Sequence, residues 1–398
     1  MRTGAGLRLV LVALCVTETT SWGVLYYAFP VLAGPIQQDT GWTSTRLSAA
    51  FSAALLVSAL AGIVVGRWLD RHGPRWLMTI GSALAAGALV GVALAPSFAW
   101  FAVAWLVAGV AMSGVLYPPA FAALTRWYGE RRVQALTALT LAAGLASTIF
   151  APITAALVGH LGWRGTYLAL AALLAVVTVP AHLVGLRRPW PARDEHARTP
   201  ATHAPRRVVR SRPFLCLVAA FALSSLTAYV VVVNLVPLLS ERGIGPGTAA
   251  LVLGVGGVGQ VLGRLGYAPL VRQLDVRTRT AVVLGTVGVS TALLGTLTWL
   301  PALVALAVLA GAARGVVTLL QATAVTERWG TADYAALSGI LAAPSTITIA
   351  VAPVVGAAGA VLLGGYPRML VGMAVVGVAG AAVSWGSSPR LGAGRTSG

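Results

Sequence analysis

Three ionisable side chains, Glu18, Arg264 and Arg314, fall well inside long apolar stretches of the sequence. A charge at the centre of a bilayer costs about 2.5 to 3.5 kcal/mol on insertion scales, so such groups face a polar cavity or pair with one another. A guanidinium presents a planar fork of donors that matches a carboxylate bidentately. Arg314 sits near the middle of its stretch, too deep to snorkel, whereas Arg264 near the end of its own leaves both a cavity role and snorkelling open. Glu18 also has two readings, as a structural counter-ion for Arg314 or as a protonatable group that carries protons. Covalent chemistry has no comparable constellation. There are no paired carboxylates, no His-based metal spacing and no activated nucleophile, and His160, His182, His196 and His203 are scattered over loops and helix ends. Cys15 and Cys216 lie in apolar runs and read as small core hydrophobes. The expectation is a protein that is not an enzyme and uses neither cofactor nor metal.

The elements that must hold these three residues follow from composition. Of the 398 residues, 58% are hydrophobic and 10% charged, with a mean hydropathy of +0.85, against about 25% charged in soluble domains. Apolar runs of about 20 residues, the length that crosses a hydrocarbon core of about 30 Å, recur between short polar breaks. The predicted spans are Leu7 to Leu32, Leu47 to Val65, Leu77 to Ala95, Ala99 to Leu124, Ala135 to Val158 and Thr166 to Leu186. After a polar stretch come Phe214 to Leu239, Thr248 to Leu270, Ala281 to Leu300, Ala302 to Val325, Tyr334 to Leu363 and Met369 to Val383. The first run includes Glu18 and lacks a small-residue cleavage site, so it is read as a retained helix. The fold class is thus an all-α membrane protein of twelve transmembrane helices in two pseudo-symmetric six-helix bundles, residues 1–186 and 213–398, joined by a cytoplasmic linker, 187–212, rich in Arg, Pro, His and Ala.

A formal net charge of +18, carried without a single lysine, raises the question of a nucleic-acid partner. With both termini in the cytoplasm, only Arg46, Arg164, Arg242 and Arg368 fall in outer loops; apart from Arg264 and Arg314, the rest fall in cytoplasmic segments. That asymmetry is the positive-inside rule, and it accounts for the charge with membrane lipid as the surroundings and no nucleic acid. The linker and short tails are too small for the regulatory domain of a sensor.

An offset of about 200 residues brings similar strings together. Gly114-Val115 answers Gly315-Val316, Arg126-Trp127 answers Arg328-Trp329, and Ala151-Pro152 answers Ala352-Pro353. Related halves closing in turn around a midplane site are a common carrier architecture. Prolines within spans, at Pro118, Pro119, Pro237, Pro344 and Pro353, mark bends.

The segment Gly66-Arg67-Trp68-Leu69-Asp70-Arg71-His72-Gly73-Pro74-Arg75 resembles the signature loop of the major facilitator superfamily, and Gly162-Trp163-Arg164 looks like that superfamily too. The loop places the Asp70 carboxylate among arginines at a helix junction, where it can pair with Arg71, Arg75 or a neighbouring helix end and latch one conformation; Gly66 and Gly73 complete the motif. Gly41-Trp42-Thr43-Ser44-Thr45-Arg46 and Trp22-Gly23-Val24-Leu25-Tyr26-Tyr27-Ala28-Phe29 look like the bacterial monocarboxylate and oxalate/formate carrier group. That resemblance implies that Arg264 engages a substrate carboxylate. It places Gln260 where many such carriers have an aspartate. The superfamily resemblance implies that the first, fourth, seventh and tenth helices line the cavity, which collects Glu18, Tyr26, Tyr27, Tyr117, Asn234, Arg314 and Gln321 as a cationic pocket for an organic anion.

The expected function is alternating-access secondary transport of a small organic anion, a monocarboxylate, coupled to protons, by a monomer in a bacterial inner membrane. The alternative is a proton-coupled exporter of a drug or amphipathic metabolite. The drug-antiporter signature of the fifth helix is incomplete, since Ala155 and Ala156 stand where paired glycines belong.

Overall fold

In the computed structural model the described residues, 2–190, 206–330 and 334–388, are helical apart from short connections. Eleven stretches are long and apolar enough to span a bilayer. One of them, Gln134–Gly185, has 52 residues and would be about 78 Å long as one straight helix at 1.5 Å per residue, more than twice the hydrocarbon thickness. It is two crossings. Gly162 interrupts it at φ 62° and ψ 177°, a backbone state in which a Cβ would be strained, and the chain reverses there. The membrane helices are therefore α1 (Gly6–Thr40), α2 (Ser44–Leu69), α3 (Pro74–Ala93), α4 (Phe98–Tyr128), α5 (134–161), α6 (163–185), α7 (Arg212–Glu241), α8 (Pro246–Leu265), α9 (Val276–Thr296), α10 (Leu300–Trp329), α11 (Leu337–Leu363) and α12 (Tyr366–Ser387). An even number of crossings puts both ends of the chain on one side, here called the terminal face.

Several ends differ from the sequence-based spans by a turn or more. The first helix runs on to Thr40, through a π-helical turn at Gly23–Tyr27. The α8 helix stops at Leu265, and Tyr267–Gln273 forms a separate short helix. In α4 the chain breaks at Leu116, which is extended (φ −93°, ψ −171°) just before Tyr117-Pro118-Pro119, because prolines cannot donate to the preceding turn. Polar caps start other helices: the Thr43 and Ser211 side chains accept from Arg46 and Phe214 N–H, and the Asp275 carboxylate accepts from Arg277 and Thr278 N–H.

The repeat inferred from the sequence is visible in the packing. In the first half α2 packs on α4, α4 on α3, α3 on α6, and α1 on the α5–α6 stretch. In the second half α8 packs on α10, α10 on α9, α9 on α12, and α7 on α11 and α12. The halves meet through α5 against α8 and, in the symmetry-related place, α2 against α11. Lipid supplies no hydrophobic drive between helices, so close backbone approach carries these contacts. Gly109 lies so near the Ala54 carbonyl, and Gly259 so near that of Val308, that a Cβ on either would collide with backbone. Large apolar side chains such as Leu60, Val176, Leu362 and Val375 are exposed on the outside, as a lipid-facing surface requires.

The core is not divided evenly. One cluster joins both halves away from the terminal face, running from Val24–Ile36 and Leu47–Ala54 to Val230–Leu239, Ala249–Leu253 and Ala352. Toward the terminal face each half has its own cluster, Val10, Leu14, Ala120 and Leu139 in the first and Phe214, Phe221, Leu320 and Leu341 in the second. The halves are sealed together on the far side and separate on the terminal side.

Candidate functional site

Between the separated clusters lies a cavity of about 570 Å³. Its first-half wall is built by Trp22 and Tyr27 of α1, Ser58 and Ile63 of α2, Met112, Tyr117 and Phe121 of α4, and Thr140 of α5. The second-half wall carries Ser225 and Tyr229 of α7, Gln260 and Arg264 of α8, Arg314, Thr318 and Gln321 of α10, and Thr346 of α11. Helical spacing explains the sets: Arg314, Thr318 and Gln321 stand at i, i+4 and i+7 on one face of α10, as Gln260 and Arg264 do at i and i+4 on α8. Among the residues lining the cavity, Arg264 and Arg314 are the charged ones.

Glycines set the distance between these two arginines' helices. Gly311 lies against the Gly256 carbonyl, Gly315 against that of Gln260 and Gly263 against that of Ala312, each too close for a Cβ. This brings the Gln260 amide to Arg314, whose Nε and Nη2 donate to Gln260 Oε1 at 3.1 and 2.8 Å. A neutral acceptor thus orients the guanidinium without cancelling its charge, and Arg314 Nη1 makes no hydrogen bond within the described protein. Arg264 donates from Nη1 to the Thr140 carbonyl across the boundary between halves, and its buried Nε has no partner among the described residues.

Of the expected cavity residues, the structure brings together Arg264, Arg314, Tyr27, Tyr117 and Gln321 and leaves out three. Tyr26 is buried among aromatic rings, with Phe51 at 5.5 Å and Tyr229 at 6.3 Å. A π-helical turn at Gly23–Tyr27 inserts one extra residue and shifts the helical phase there, so Tyr27 joins Trp22 on the cavity wall while Tyr26, its ring 5.5 Å from that of Trp22, does not. Asn234 is nine residues beyond the lining Ser225, which at 100° per residue puts it on the opposite side of α7. There its Nδ2 donates to the Val230 carbonyl at 2.9 Å and packs on Gly356 of α11. Glu18 lies one turn before Trp22, fully buried behind the wall rather than on it.

Glu18 is also not the counter-ion of Arg314 in this conformation, because Arg314 is held by Gln260 and neither carboxylate oxygen has a hydrogen-bond partner among the described residues. The Trp22 indole N–H faces it without closing a hydrogen bond.

The proposed latch is only partly described. The Asp70 side chain lies outside the described residues, as does most of the linker, 191–205. Gly73 ends α2 at φ 78°, its N–H donating to the Leu69 carbonyl, with Trp190 packed on it. Arg75 Nε donates to the Leu183 carbonyl at 2.9 Å, tying α3 to α6, while Arg71 is exposed and a Cβ on Gly66 would meet nothing within 4 Å among the described residues. The equivalent place in the second half holds a pair that sequence reading overlooked: Arg279, at the start of α9, bonds Glu327 at the end of α10 at 2.5 Å. On the far face Trp163 and Arg164 both donate to Asp39, at 2.8 and 3.1 Å, tying the start of α6 to the end of α1.

Trp22, Phe121 and Tyr229 are cavity residues that the sequence reading passed over. Phe121 could have been found from Tyr117 by the i+4 spacing; Tyr229 needed the phase of α7, which Asn234 misdirected.

Two bundles repeating the same packing around a central cavity agree with the comparison to known families, in which the model of the Major Facilitator Superfamily matches residues 14–342. The chain belongs to the major facilitator superfamily. Within the superfamily it is 31% identical over 304 residues to Monocarboxylate transporter 11 of Homo sapiens, covering 72% of this chain and 62% of that one. It is 28% identical over 225 residues to Multidrug resistance protein MdtL of Klebsiella pneumoniae (strain 342), 55% of each chain. The matched parts thus span between about half and two-thirds of these relatives' own lengths. A crystal structure of a bacterial homolog to the human lysosomal transporter Spinster, in an inward-facing and occupied conformation, superposes with a TM-score of 0.79 at 16% identity, over 94% of this chain and 95% of that one.

Proposed function

We propose that this chain is a secondary carrier that moves a small organic anion, a monocarboxylate, by alternating access. The observation that supports it most directly is the pair of guanidinium groups, Arg314 and Arg264, standing as the charged residues of a cavity wall with no carboxylate beside them among the described residues. Two fixed cations in a largely apolar cavity are costly unless an anion completes them, and a carboxylate fits their donor geometry. The similarity to a monocarboxylate transporter agrees with this choice. The excess of arginine on the terminal face supports a cytoplasmic placement, under which the sealed far side and open terminal side correspond to an inward-open state. Rocking of residues 1–186 against 213–398 would then expose the same site outward. Glu18, buried one turn from the cavity with no hydrogen-bond partner among the described residues, is the candidate proton carrier.

The test is uptake of labelled short-chain acids into proteoliposomes under an imposed proton gradient. Replacing both Arg314 and Arg264 by Gln is expected to abolish uptake; uptake at the wild-type rate would refute the anion reading. The similarity to a multidrug resistance protein keeps one rival in view, export of an amphipathic drug, which predicts transport indifferent to both arginines.

A further inference from the structure

The two walls of the cavity are chemically unlike. Both guanidinium groups come from the second half. The first-half wall has no charged residue among those described, and on it Trp22, Tyr117 and Phe121 make a continuous aromatic surface. The Trp22 and Tyr117 rings lie 5.0 Å apart, and Tyr117 and Phe121 stack at 4.9 Å with planes 22° apart. Leu55, Ile63 and Leu116 are further apolar residues of this wall.

A solute touching both walls must offer a carboxylate to one and a flat apolar group to the other. A three-carbon acid would fill little of about 570 Å³ and leave the rings uncovered. An aryl group laid against them gains offset or edge-on ring contacts as well as burial. We propose that the carried anion is an aromatic monocarboxylate, its carboxylate on Arg314 and its ring on Trp22, Tyr117 and Phe121. This rests on the organic-anion reading above and adds the ring subsite to it.

Calorimetric titration of the full chain in detergent with phenylpyruvate and with pyruvate, which share the same keto-carboxylate and differ by the ring, tests the two parts separately. Phenylpyruvate is expected to bind at least about tenfold more tightly, the factor for burying roughly 60 Å² of apolar surface. Trp22→Leu and Phe121→Leu should each weaken phenylpyruvate binding severalfold more than pyruvate binding and so remove much of that advantage, and Arg314→Gln should weaken both acids together. Equal affinity for the two acids in the wild-type protein overturns the ring subsite and leaves the anion carrier standing. Failure of both acids to bind, or tight binding that survives Arg314→Gln, overturns the carrier reading and the subsite with it. The wild-type comparison decides the subsite even if a variant fails to fold.

Discussion

The amide at Gln260 decides how much charge the cavity offers. It accepts from two nitrogens of Arg314 and so fixes the guanidinium while leaving it a full cation. Gln260→Glu would convert this into a charge-assisted pair and neutralise half of the cationic wall. Anion affinity is expected to fall by about tenfold or more at neutral pH, given that a hydrogen bond to a charged group contributes roughly 1.5 to 3 kcal/mol. The new carboxyl, held ionised by Arg314, regains its proton only as the pH falls, so binding in the variant should recover toward acid. Flat pH behaviour in titrations of Gln260→Glu would contradict this. At Glu18, replacement by Gln separates two roles. If the residue carries the proton, gradient-driven accumulation disappears while counterflow exchange continues; loss of both would make it structural.

At the level of elements, the binding wall depends on how closely α8 and α10 approach. Gly311 and Gly315 sit where any Cβ would press on the backbone of Gly256 and Gln260. Alanine at either position must push the helices apart, with a cost of about 1 to 3 kcal/mol from overpacking and a displaced Gln260–Arg314 pair. Both variants should melt several degrees lower and bind the anion more weakly. Gly87→Ala is the control: nothing lies within 4 Å of its added Cβ, and removing a helical glycine should leave the melting temperature unchanged or raised. The start of α9 offers an independent check. Donation by the Thr278 hydroxyl and by the Thr278 and Arg277 N–H groups holds the Asp275 carboxyl below the usual carboxylate range. A depressed value means the cap contributes above the unfolded-state pKa and is lost as pH falls through the folded one. Asp275→Ala should therefore lower the melting temperature at neutral pH, with a deficit that shrinks in acid.

For the whole molecule, the proposed alternating access predicts that the shared core on the far side parts while the split cores on the terminal side close. The α2–α11 contact is one seam that must open; there the Val354 N–H donates to Ser52 Oγ at 3.2 Å. With Cys15 and Cys216 replaced by Ala, a Ser52→Cys, Val354→Cys pair is expected to crosslink under oxidation and stop transport, with recovery on reduction. Turnover at the wild-type rate while crosslinked would rule out parting at this seam. Ser58→Cys, on the cavity wall, should react with a membrane-impermeant maleimide only from the terminal face and be shielded by bound anion.

The amino-acid sequence alone determined the solvent, the helix count and the repeat, because span length and apolar content are set by bilayer thickness whatever the packing. It also singled out Arg264 and Arg314, since a charge deep in an apolar run has few places to go. Only the tertiary structure decided which face of each helix meets the cavity. That choice depended on local phase: a π-turn at Gly23–Tyr27 exchanged Tyr26 for Tyr27, and the rotation of α7 sent Asn234 to Gly356 and brought in Tyr229. The partner of Arg314 was equally out of reach of the sequence. Gln260 lies 54 residues away along the chain, and the two meet because glycines on both helices let the backbones touch.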